Sequence, residues 1–70
     1  MNKEEKQYLG EEIESVKKAL RSIGYQYGFW QRKVSVDARD ANMQQFRTIT
    51  GQKKGTEEYL KYLEDMLAKG

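Results

Sequence analysis

The chain has no cysteine, no histidine and no proline among its 70 residues. Without cysteine there are no disulfides and no thiolate metal ligands. Without histidine there is no imidazole ligand and no ordinary general base near neutral pH. A secreted domain of this size normally needs covalent or metal staples, so a reducing, cytoplasmic setting is expected. The absence of proline, of internal repeats and of low-complexity tracts leaves no linker, and residues 1–70 read as a single small helical domain. No apolar run approaches the ~18 residues that cross a bilayer, so no membrane partner is expected. The opening Met1-Asn2-Lys3-Glu4-Glu5-Lys6 lacks an apolar stretch and a small-residue cleavage site, so a signal peptide is not expected either. Apolar residues are also scarce, at 37%, with a mean hydropathy of −1.00. A chain this short hides only about 60% of its unfolded surface, so the core must be thin.

What the chain does have is charge, 34% of all residues, in an uneven distribution. Residues 1–14 carry a net −3, residues 15–54 a net +7 and residues 55–70 a net −2. A basic middle is flanked by acidic ends.

Helical periodicity organises both ends of the chain. Asn2 with Glu5 three residues on is a capping-box arrangement. Leu9, Ile13, Val16, Leu20 and Ile23 then follow at spacings of 4, 3, 4 and 3, an apolar seam on one helix face. Acids early and bases late suit the helix dipole, and a helix over about 3–23 is predicted. The same spacing continues through Tyr27, Trp30 and Val34, so an unbroken helix is the reading taken. Gly24 and Gly28, among four aromatics, make a kink the alternative. At the other end, Thr56 as a cap precedes Tyr59, Leu60, Leu63, Met66 and Leu67, which predicts a helix over about 56–68.

Between them the signals compete. Residues 33–36 and 46–50 alternate and are β-branched, as in strands, whereas 37–49 reads as a helix capped by Asp37. The helix is preferred, and Gly51-Gln-Lys-Lys-Gly55 reads as a loop. The expected fold is all-α: a small helical hairpin or three-helix domain with a long first helix, oligomeric. The alternative is α-β-β-α with a hairpin in about 33–50.

The segment with chemistry worth weighing holds Tyr25, Tyr27, Phe29 and Trp30 followed by Arg32 and Lys33, of which Tyr25, Tyr27, Trp30, Arg32 and Lys33 are taken as the candidate site. Aromatic faces stack bases, and cations neutralise phosphates or meet acidic protein patches. The competing role for Tyr27 and Trp30 is core, because both continue the seam. The Gly51–Thr56 segment lacks the Gly-Lys-Ser/Thr ending of a phosphate loop, and Gly24–Gly28 lacks the apolar surroundings of a membrane GxxxG pair. The carboxylate pairs Asp37/Asp40 and Glu11/Glu14 lack metal-site spacing. No catalytic residue, metal site or cofactor is expected.

These readings describe a small non-catalytic interaction protein: an adaptor, inhibitor or assembly factor presenting a helical surface with a basic, aromatic middle. Its expected partners are itself, through Leu9, Ile13, Val16, Leu20 and Ile23, and another protein, through the 25–33 segment. The alternative is a nucleic-acid- or nucleotide-binding protein using the same segment.

Overall fold

A computed structural model describes all residues, Met1–Gly70. Two helices make up the chain, α1 (Lys3–Val36) and α2 (Asp40–Lys69), joined by a three-residue turn into an antiparallel hairpin. There is no strand and no third helix. A helix rises 1.5 Å per residue, so the 34 residues of α1 account for the full 51 Å length of a rod only 15 by 13 Å across.

Helix α1 begins as its sequence dictates. The Glu5 amide donates to Asn2 Oδ1 at 2.8 Å, satisfying one of the orphan donors of the first turn. The helix then runs through Gly24 and Gly28 without a break to Val36. Every residue of the seam from Leu9 to Val34 is buried or half-buried, so packing along one stripe outweighs the roughly 1 kcal/mol that each glycine costs a helix.

Helix α2 departs from expectation. Residues 51–55 are not a loop, Thr56 is not a helix cap, and the separate helices over 37–49 and 56–68 are one element of 30 residues. The strands considered for 33–36 and 46–50 are helical as well. A second seam explains the continuity: Asn42, Phe46, Ile49, Lys53, Thr56, Leu60, Leu63 and Leu67 recur at 4 and 3 and are all buried or half-buried. Its middle is polar. Lys53 lays its aliphatic stem in the seam and holds its ammonium 5.4 Å from the Tyr27 ring centroid and 3.2 Å from Glu57 Oε2. The β-branched Thr48 and Thr50 donate their hydroxyls back to the Gln44 and Phe46 carbonyls, which suits a helix surface.

The turn is made by side chains rather than by glycine. Asp37 ends α1, its amide donating to the Lys33 carbonyl at 2.8 Å. It is therefore a C-cap and not the N-cap read from the sequence. Its carboxylate holds the Arg39 side chain at 2.8 Å and accepts from the Arg39 amide at 3.3 Å. Asn42, buried, donates Nδ2–H to the Asp37 carbonyl at 3.0 Å and ties the start of α2 to the end of α1.

The core lies toward the open end, where Leu9, Ile13, Val16 and Leu63 are buried with Leu60 and Leu67 packed against them. Toward the turn, Ile49 is buried and Tyr27 stacks obliquely on Phe46 at 5.3 Å. Only 6 of 70 residues are buried, so the single chain remains a thin structure with much apolar surface at its edges.

Candidate functional site

Folding into a hairpin turns a sequence pattern of charge into a spatial one. The acidic segments 1–14 and 55–70 come together at the open end, and the basic segment 15–54 occupies the half that ends in the turn. The rod is polarised along its length. Arg39 is held by Asp37 and Lys53 by Glu57, whereas Arg32, Lys33, Arg47 and Lys54 make no ion pair. The turn half therefore keeps several cations available.

The five residues singled out in 25–33 do not form one cluster. Tyr27 and Trp30 face the seam and are half-buried. Tyr27 is committed to Phe46, and Trp30 meets Phe29 edge-to-face at 5.2 Å. Tyr25 is 81% exposed and lies, with Arg32 two helical turns on, along the outer line of α1. Lys33 is exposed and sits 5.8 Å from the centroid of the Phe29 ring. Phe29, Arg32, Lys33, Val36 and Asp37 line an open hollow of about 460 Å³. Phe29 and Val36 are its apolar members; Phe29 belongs to the aromatic–basic segment read from the sequence, but neither is among the five candidate site residues. The signal was present: Phe29 and Val36 are seven residues apart, on a helix stripe outside the seam, where apolar side chains have no intrachain reason to be.

The residues expected to join copies of the chain, Leu9, Ile13, Val16, Leu20 and Ile23, face α2 of their own chain. The first, second and third are buried there, and Leu20 and Ile23 are half-buried.

A second apolar region lies at the open end. Met1, Glu5, Tyr8 and Met66 are among the residues lining a hollow of about 390 Å³. Tyr59 and Tyr62 are nearby and are 46% and 57% exposed. The Tyr59 phenol is pushed above its ordinary value of 10.0, first by loss of hydration to its neighbours and then by the Glu12 carboxylate. In a phenol the raised value favours the neutral form, so the contribution to stability is present below pH 10 and is lost as pH rises through the folded value. Spectroscopic titration is expected to show the Tyr59 phenol ionising above 10.0. Glu12→Gln is expected to move that midpoint back toward 10.0. An unchanged midpoint in Glu12→Gln would contradict this placement.

No group of three or more aspartate, glutamate, histidine or cysteine side chains could hold a metal ion, and no helix is long and apolar enough to cross a membrane. Comparison with protein-family models, with curated proteins and with solved structures finds no match for this chain.

Proposed function

We propose that this chain is a small, non-catalytic interaction protein of the cytoplasm that recognises an acidic, partly apolar helical surface through the turn half of the hairpin. The observation that carries this reading is the hollow where Phe29 and Val36, 50% and 90% exposed, stand beside Arg32 and Lys33. Apolar groups beside two unpaired cations, with the Asp37 carboxylate at the rim already held by Arg39, suit a protein surface that offers both burial and carboxylates. Tyr25 and Arg32, on the outer line of α1, extend the surface. The absence of cysteine is compatible with a reducing compartment.

Nucleic acid is the second reading, favoured by the unpaired Arg32, Lys33, Arg47 and Lys54. It ranks lower because base stacking needs free aromatic faces. Tyr27 is spent on Phe46, and Phe29 on Trp30 and Lys33, which leaves Tyr25 as the free aromatic of the segment.

Capture from a lysate with the tagged full chain, with and without nuclease, separates the two. Nuclease-resistant capture of protein is expected, and replacing Arg32 and Lys33 together by Glu is expected to abolish it while leaving the helical circular dichroism unchanged. Capture lost on nuclease treatment, or falling steeply between low and physiological salt, would hand the surface to nucleic acid. Capture indifferent to the double charge reversal would make the basic half a solvated face.

A further inference from the structure

We propose that the acidic, apolar surface recognised by the turn half is the open end of a second copy of this chain, docked antiparallel along one flank of the hairpin. The proposal rests on the reading of the Phe29–Val36 hollow given above.

The two flanks of the rod differ in composition. Residues seven apart share a stripe on a helix. On one flank α1 presents Tyr8, Ser15, Ser22, Phe29 and Val36, with Ala19 and Gln26 beside them. The shared hollow of Tyr8 and Met66 places the Tyr59, Tyr62 and Met66 side of α2 on the same flank. This flank has apolar residues at both ends, together with Glu5 and Glu12 toward the open end and Lys33 toward the turn, and no charge in the middle, where Ser15, Ala19, Ser22, Gln52 and Gly55 keep it low. The opposite flank bears Glu14, Lys17 and Arg21 on α1 and Lys54, Glu57 and Lys61 on α2. Exposed tyrosine, phenylalanine, valine and methionine concentrate on this flank, whose charges are confined to its two ends, as expected for a surface that meets another protein.

Surface area is consistent with one further copy. The hairpin exposes 5464 Å² at a mass of 8.3 kDa, whereas a folded monomer of that mass exposes about 4,600 Å². The surplus, roughly 900 Å², comes from the 51 Å rod shape, and it leaves room for the about 800 Å² that each partner buries in a standard interface.

Charge fixes the orientation. On this flank Glu5 and Glu12 lie toward the acidic open end and Lys33 at the basic turn end. A two-fold axis across the rod sets each acidic end against the partner's basic end. It brings Glu5 of one copy opposite Lys33 of the other, Tyr8 opposite Phe29, and Ala19 close to the axis. Copies aligned the other way would set like charge against like. An isologous contact of this kind closes on itself as a four-helix dimer.

Sedimentation equilibrium on the full chain at high micromolar concentration tests this. The expected mass is twice 8.3 kDa, with a dissociation constant that rises about tenfold or more from low to high salt as the end-to-end attraction is screened. Ala19→Lys changes an exposed residue to another good helix former. It puts two like charges near the axis and is expected to give a single chain with unchanged circular dichroism. Thr50→Lys, on the charged flank, is expected to leave the dimer intact. Lys33→Glu and Glu5→Lys should each weaken association about tenfold, and the two together should restore it. A single-chain mass for the unaltered protein, or an Ala19→Lys protein that remains dimeric, overturns the proposal. A single-chain mass together with nuclease-resistant capture that depends on Arg32 and Lys33 would overturn the second copy alone. Loss of both would remove the reading of the site as well.

Discussion

Leu63→Ala is expected to lower stability by about 2–5 kcal/mol, the usual cost of truncating a buried leucine. Leu63 is 5% exposed and shares one cluster with Leu9, Ile13 and Val16, three of the five buried apolar residues of the whole chain. A domain of this length has roughly 3.5–10 kcal/mol of total stability, so the variant should be largely unfolded or melt far below the parent. The neighbouring Leu67 is only half-buried, and Leu67→Ala should cost distinctly less. Urea unfolding followed by circular dichroism at a fixed protein concentration checks both. Equal, small losses in the two variants would mean that α2 does not pack through Leu63.

An effect of similar size and opposite sign is expected at the glycines. Gly24, Gly28 and Gly51 lie inside helices, and a methyl group built on any of them meets nothing within 4 Å. Each change to alanine removes backbone freedom from the unfolded chain at no steric cost, a gain of about 1 kcal/mol. Gly24→Ala/Gly28→Ala/Gly51→Ala together should gain about 3 kcal/mol, with roughly 4–8 °C of melting temperature for each kcal/mol. Gly55 is left out because it sits on the flank proposed to meet the second copy. If residues 51–55 were the loop that their composition suggests, Gly51→Ala would be neutral or destabilising, so this single variant separates the two structures of α2.

The first helix was legible because its seam is apolar throughout. From Leu9 to Val34 the 4 and 3 spacing never meets a polar residue, and the Asn2 cap marks its start. Gly24 and Gly28 lower local propensity, but propensity is a weak prior where packing supplies the stabilisation. The second helix was only half legible, since its seam passes through Asn42, Lys53 and Thr56. A search for apolar residues finds a gap there and reads Gly-Gln-Lys-Lys-Gly as a turn. Counting the aliphatic stem of Lys53 as seam material would have carried the pattern from Phe46 to Leu67. The turn itself has no glycine or proline to announce it; Asp37 and Asn42 build it through hydrogen bonds that depend on both helices already being in place.

The candidate site was legible in charge and less so in shape. The net +7 of residues 15–54 located the basic half, and Arg32 and Lys33 are exposed there. Tyr25, Tyr27 and Trp30 were grouped by closeness in sequence, yet a helix turns neighbours to different sides. Phe29 and Val36 stay outside the candidate site because attention follows the Leu9–Val34 seam, whereas their seven-residue stripe runs beside it on a face that α2 does not cover.

Both the polarised charge and the flank of exposed apolar residues depend on α2 folding back unbroken along α1. Residue-resolved amide hydrogen exchange over residues 48–58 tests this most directly. An unbroken α2 predicts that the amides of Gly51–Gly55 are protected to a degree comparable with Ile49 and Leu60, since each donates within a continuous helix. Exchange at the unprotected rate across Gly51–Gly55, with protection on both sides, would show a loop there and contradict the account.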